Sequence, residues 1–355
     1  MGKKVKVFSL VVVIVMAFVL LTGCAQPAEP QQPSEAPQQP SEAAPATTTA
    51  PPETSPEESS SKVVIGCSIQ GNQSTFMQYV VAGMYQYAEE NPDIVEIKVV
   101  YANDDAVTQC TQVETMIQEG IDALVINPVD PDASSPAVDA CKAANIPVIT
   151  VNTTVNNDYV AAHVGSDDVE SGRLQMERII SVCGENAKVG YINAVIGHSA
   201  QVGREKGYKE VLAKYPTVEL VAYDCGNWSG DESMQIVENW LAAGKEFDAI
   251  LCQADCQLVG VIQAVKNVGL LGKIKLAGMD CIDDIMEQIA AGNVDNSIWQ
   301  DGVGQGYHSV RIAIDAAKGV AVQDYMIPYE VCSVDNYQEY LKKIDERNAL
   351  AAKYF

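Results

Sequence analysis

The sequence predicts an α/β protein of two doubly wound parallel-sheet lobes. Three observations lead there. Beyond Lys62, short apolar β-rich runs alternate with longer stretches of helical period, the pattern of parallel α/β units. Runs such as Ala123-Leu124-Val125-Ile126 are apolar without alternation, as strands covered on both faces require. Ten such strands are too many for one open sheet over a single core, and a break at Gly165-Ser166-Asp167-Asp168 divides them.

Two segments ahead of this body build no core. Lys3, Lys4 and Lys6 precede an uncharged apolar run from Phe8 to Leu21, the layout of a signal peptide. A helix of that length reaches only ~21 Å, short of a hydrocarbon layer roughly 30 Å thick, so a permanent span is not expected. Leu21-Thr22-Gly23-Cys24 resembles the lipobox of bacterial lipoproteins. The resemblance implies removal of residues 1–23 and a diacylglycerol on the Cys24 sulfur, a lipid anchor that tethers the protein to the cell membrane from outside the cytoplasm. From Ala25 to Ser61 the chain has six glutamates and no lysine or arginine among Pro, Ser, Gln, Ala and Thr. Residues 24–61 therefore read as a lipidated cysteine followed by a solvated, disordered linker.

In the body, strands are expected at Val63–Cys67, Ile94–Val100, Asp122–Ile126, Pro147–Val151 and Val160–Val164, then at Lys188–Ile192, Val218–Tyr223, Ala249–Cys252, Ile274–Met279 and Val294–Trp299. Helices fill the intervals, and Asn336–Phe355 reads as an amphipathic surface helix. The whole chain of 355 residues is 47% hydrophobic, with 23 basic against 47 acidic residues. A net charge of −24 excludes nucleic acid as a partner. The ten cysteines are spread singly with no C-x-x-C pair, which removes most support for zinc ribbons and thioredoxin chemistry.

Ligands of open α/β sheets sit beyond the carboxyl ends of the strands, so the loops there carry the functional signal. They offer Gln70-Gly71-Asn72-Gln73-Ser74-Thr75-Phe76, Asn127-Pro128-Val129-Asp130, Asn152-Thr153-Thr154, Gly197-His198-Ser199, Asp224-Cys225-Gly226-Asn227-Trp228, Asp255, Asp280 and Gln300-Asp301. Carboxylates, amides and aromatics with almost no basic side chain suit a neutral, hydroxyl-rich ligand. Taken singly, many of these residues read equally well as helix N-caps. Arg204 reads as a helix-surface salt bridge or an interlobe contact.

Ile126-Asn127-Pro128-Val129-Asp130-Pro131-Asp132-Ala133, Ala144-Asn145-Ile146-Pro147-Val148-Ile149-Thr150 and Val164-Gly165-Ser166-Asp167-Asp168 resemble the type I periplasmic binding proteins, specifically the ribose-binding-like sugar receptors of ABC transporters. The resemblance runs from about Lys62 to Cys332. It implies a hinge of three crossings near Ser166-Asp167, Gln300-Asp301 and Glu330-Val331. Lobe boundaries then follow: residues 62–166 plus 301–330 form the first lobe, and residues 167–300 plus 331–355 form the second with its tail helix. Implied further are a monomer that clamps a neutral sugar or polyol, and a permease and ATPase that receive it. Pocket positions carried over individually are Phe76 and Trp228 for the ring faces, and Asp280 and Gln300 for hydroxyls. Where the family usually has Asp-Arg after the fourth strand this chain has Asn152-Thr153, leaving Asn152 as the amide of the first lobe. Val202 stands where a sugar-binding arginine is common, and Ala254 where an asparagine is.

An enzyme is the first rival, and its signals are weak. Gly302-Val303-Gly304-Gln305-Gly306 lacks the G-x-G-x-x-G spacing and follows the wrong strand for a dinucleotide site. His163, His198 and His308 are scattered, and no G-x-S-x-G is present. No catalytic residue, cofactor or metal is expected. The second rival shares the fold: a ligand-sensing lipoprotein that signals to a separate kinase or chemoreceptor.

Overall fold

The computed structural model describes residues 62–355; the expected signal peptide, Cys24 and the expected linker lie outside the described residues. The first lobe opens with β1 (Val63–Ile69), α1 (Thr75–Glu90), β2 (Val95–Tyr101), α2 (Ala106–Gln118), β3 (Ala123–Ile126), α3 (Ser135–Ala143), β4 (Val148–Val151) and β5 (Val160–Gly165). The chain then enters the second lobe through α4 (Asp168–Cys183). There follow β6 (Lys188–Asn193), α5 (Ser199–Leu212), β7 (Glu219–Cys225), α6 (Gly230–Ala242), β8 (Ala249–Cys252), α7 (Asp255–Asn267), β9 (Lys275–Met279), α8 (Asp283–Ala290) and β10 (Asn296–Trp299). It returns with α9 (Gly302–Ala317) and β11 (Tyr325–Met326), crosses again to β12 (Glu330–Ser333) and ends in α10 (Gln338–Ala351).

The two sheets have one topology. Strand order is β2-β1-β3-β4-β5-β11 in the first and β7-β6-β8-β9-β10-β12 in the second. All pairings are parallel except β10 with β12. Each order reverses direction once, beside the first strand of its lobe, which opens a crevice between β1 and β3 and its counterpart between β6 and β8.

Why these runs form central strands is visible in which neighbours each residue meets. Ala123 and Val125 join the apolar layer under α1 and α9, while Leu124 and Ile126 join the layer under α2 and α3. In the second lobe Ala249 and Leu251 face one layer, Ile250 and Cys252 the other. A strand clad on both sides has no polar alternation to display.

The two-lobe expectation holds, with two additions. β11 and β12 were not expected from the sequence, because a two-residue pairing and a short strand after a crossing have no period to read. The amphipathic tail is α10, but it is more than a surface helix: it buries Tyr340, Ile344, Arg347 and Ala351. At the crossings, carboxylates cap the incoming helices. Asp167 accepts from the amides of Val169 and Glu170 at 2.9 and 3.3 Å, and Asp301 accepts from Gly304 at 2.8 Å. The glycine-rich run therefore opens a helix in which Gly306 packs against the carbonyl of Val80 on α1.

Candidate ligand-binding site

A cavity of about 570 Å³ lies between the lobes at the carboxyl ends of both sheets, within the size range of small-molecule sites. Phe76, Asn152, Trp228, Asp280 and Gln300 all border it. The loops thus sort into two kinds. Asp105, Asp167, Ser229 and Asp301 are N-caps that accept from their own helices, whereas Asp104, Asn152, Asn227 and Asp280 turn toward the cavity.

Backbone geometry marks the second kind. Asp104, Asn152, Asn227, Trp228 and Asp280 have φ of 59°, 63°, 50°, 59° and 109°. Side chains other than glycine rarely adopt this region, and holding them there costs roughly 1–3 kcal/mol each. Such strain persists only where surrounding contacts over-determine the turn. At Asp280 they do: its amide donates to the Ile298 carbonyl at 2.9 Å, and the Cys281 amide donates to Ser297 Oγ at 3.0 Å. The Ile282 amide donates to Asp255 Oδ2 at 3.1 Å, and the Ser297 hydroxyl contacts both oxygens of that buried carboxyl at 3.0 and 2.9 Å.

Arg204 departs from the expectation of a helix-surface pair. It is 4% exposed and borders the cavity, while Val202, two positions earlier, points outward at 53% exposure. The α5 helix brings Arg204 inward because Gly172 and Gly207 let α4 and α5 touch backbone to backbone: a Cβ on either would lie 2.1 or 2.0 Å from a carbonyl oxygen of the other helix. Arg204 Nε donates to Asp168 at 3.0 Å and Nη1 to the Gln253 carbonyl at 2.7 Å. Nη2 makes long contacts of 3.4 Å to Gln300 Oε1 and the Tyr329 hydroxyl. Burial alone would lower its pKa, but Tyr329, Asp168 and Asp280 raise it above the ordinary arginine value. The cleft is therefore not devoid of basic side chains, as its loops suggested, but this charge is already paired.

The polar atoms left over at the cavity are amide, carboxyl and imidazole groups, donors and acceptors both. Gln70 Oε1 is buried without a partner. Asn152 Nδ2 donates to Gln305 at 3.1 Å, which leaves its carbonyl oxygen free to accept. Burial pushes the Asp280 carboxyl up to about 7 against the opposing pull of Arg204 and Arg347, with Asp168 adding to the rise. The ionised carboxylate expected from sequence is thus only part of the population at neutral pH. His198 has both ring nitrogens buried without partners and stands edge-on to Trp228 at 5.4 Å. Burial, joined by Arg204, lowers it to about 4, so it is a neutral ring with one donor and one acceptor. His198 was offered by the sequence only within a strand-end loop and not as a pocket position, and Asp104 was not offered at all; the signal for each was a polar residue just past a strand end.

No disulfide joins the nine cysteines among the described residues. Nor do the described residues hold a group of three metal-ligating side chains.

A cavity clamped between two equivalent doubly wound sheets, lined by polar side chains and two aromatics, defines a two-lobed receptor for a small solute. Residues 65–321 match the model of the periplasmic binding protein domain, and the chain belongs to that family of binding proteins, which are not enzymes. Among solved structures it is similar to an ABC transporter solute-binding protein from Bacillus halodurans with bound myo-inositol, at 35% identity and TM-score 0.76, over 79% of this chain and 98% of that one. Among curated proteins it is similar to the xylitol-binding protein of Mycolicibacterium smegmatis, 30% identical over 74% of this chain and 72% of that protein. A Caulobacter myo-inositol binding protein shares the fold at 24% identity and TM-score 0.76, over 81% of this chain and 98% of that one.

Proposed function

We propose that this protein is the extracytoplasmic solute-binding lipoprotein of an ABC importer, which clamps a neutral cyclic or linear polyol between its lobes and delivers it to a membrane permease and its ATPase. The observation that carries this reading is a cavity lined by carboxyl, amide and aromatic side chains whose arginine is already paired. A polyol presents many donors and no charge. An anion would meet Asp104, Asp280 and, among the described residues lining the cavity, no unpaired cation, a mismatch costing several kcal/mol in a closed cleft. The similarity to proteins that bind myo-inositol and xylitol supports the same ligand class.

In this reading Asp280, Gln300 and Asn152 take hydroxyls, and Phe76 and Trp228 cover the C–H faces of the ligand. Cys24 carries the lipid, residues 1–23 are removed, and the receptor works as a monomer. A thermal-shift and calorimetric screen against myo-inositol, xylitol, ribose, glucose and their phosphates tests it. A true ligand at a hundredfold excess over its Kd stabilises the protein by about 2.7 kcal/mol. Binding of phosphates alone, or of none of these, would overturn the reading.

A further inference from the structure

The match to the family model ends at residue 321, yet α10, which follows it, reaches the turn that carries Asp280. This helix touches both lobes. Tyr340 and Ile344 belong to the apolar core of the second lobe and Ala351 to that of the first, where Tyr354 stacks on Tyr85 at 4.7 Å. Between these anchors sits Arg347, 4% exposed. Its guanidinium lies 4.0 Å from the ring centre of Tyr79 on α1 and 5.0 Å from that of Trp299, the last residue of β10 before the second crossing. Nη1 donates to the Asp280 carbonyl at 3.0 Å, and Nη2 donates to the Cys281 carbonyl at 2.8 Å.

Those two carbonyls belong to successive residues with φ of 109° and 51°. A planar fork with fixed donors can hold both and still stack on a ring; a lysine ammonium cannot do both. Asp283, the nearest carboxylate, is 4.0 Å away and largely exposed, so the buried charge is held by neutral carbonyls and ring faces. So costly an arrangement does more than close a helix end, because the turn it grips is the strained one that aims Asp280 into the cavity.

We propose that Arg347 is a positioning residue of the binding site, which fixes the Asp280 turn and ties it through Tyr79 to the opposite lobe. The role rests on the reading that Asp280 meets the ligand. It makes the tail helix, an element beyond the matched domain, a determinant of affinity and of its pH dependence. The groups that face Asp280 are Arg204 from α5, Arg347 from α10, Asp168 from α4, Asp255 and Cys256 from α7, and Tyr79 from α1. Arg204 and Arg347 favour its ionised form against burial and Asp168, so loss or displacement of Arg347 raises the midpoint.

Carboxyl-carbon NMR titration of Asp280 in the ligand-free full-length protein, with calorimetry against myo-inositol, tests this in Arg347→Met and Arg347→Lys. The methionine variant is expected to raise the Asp280 midpoint by about half a unit or more and to weaken myo-inositol by at least about tenfold. The lysine variant keeps a charge but loses the fork, so its midpoint rises less and its affinity falls comparably. A folded variant whose Asp280 midpoint equals the parent's overturns the assignment, even where its melting temperature has dropped. If the parent itself ignores myo-inositol and every other polyol, the ligand reading fails, while the titration still decides the role of Arg347.

Discussion

In the proposed binding role, the burial of Asp280 couples binding to pH. Its carboxyl titrates near 7 in the folded protein against an ordinary 3.8, so the folded state holds a proton that the unfolded chain has released. The contribution of Asp280 to stability therefore falls as pH rises from about 4 to about 7 and is level above that range, while His198, lowered to about 4, contributes in the opposite sense between about 4 and 6.5. Affinity for a neutral polyol should move the other way, since hydroxyls donate more strongly to a carboxylate than to a carboxylic acid. Calorimetry is expected to show tighter binding at pH 8.5 than at pH 5.5 in the parent, and no such difference in Asp280→Asn, whose binding should be weaker by at least about tenfold throughout. Trp228 is expected to report on the same event. Trp228→Ala should lose a comparable factor of affinity together with any ligand-dependent fluorescence change from that indole; an unchanged Kd would remove it from the site.

The α4–α5 pair shows how an element places a residue. Ala in place of Gly207 would put a Cβ 2.0 Å from the Val169 carbonyl oxygen and 2.9 Å from the Arg173 amide. The helices must separate, at a cost of about 1–3 kcal/mol by analogy with overpacked cores, and Arg204 must move with α5. Gly207→Ala should lower stability to urea by that amount and also weaken polyol binding. Gly184→Ala is the control: its φ of 86° makes an alanine strained, but nothing lies within 4 Å of the new Cβ and no cavity residue depends on it. It should lose stability of about the same order and keep its affinity. Equal losses of affinity in the two variants would mean that α5 placement is not what matters.

Three crossings and a cleft between two separately cored lobes make closure the expected response of the whole molecule to its ligand. Small-angle scattering should show the radius of gyration fall on saturation with a polyol found by screening; a constant radius at saturation would count against hinge closure. Attachment is tested at the other end of the chain. Cys24→Ser should abolish lipidation detected by intact mass and release the protein from the membrane fraction. A serine variant that still fractionates with membranes would assign the tether elsewhere.

The chain alone displayed what depends on local order. Apolar β-rich runs between helical stretches marked ten of the twelve strands; the central ones are apolar throughout because they are clad on both faces, whereas the edge strands β2 and β7 are only partly covered. Loop chemistry pointed to the strand ends as a whole, which converge in this topology whichever sequence fills them, and the resemblance to the sugar receptors picked out Phe76, Asn152, Trp228, Asp280 and Gln300 among them, all of which border the cavity. The inward placement of Arg204 and Arg347 beside Asp280 was illegible for one shared reason. Each sits within a helix whose charged residues otherwise face solvent, and its inward direction is set by distant contacts: a glycine pair that lets two backbones touch in one case, and anchors in two different lobes in the other. Burial of Asp280 to a midpoint near 7 has the same origin, for desolvation is a property of everything packed around a group and of nothing beside it in the chain.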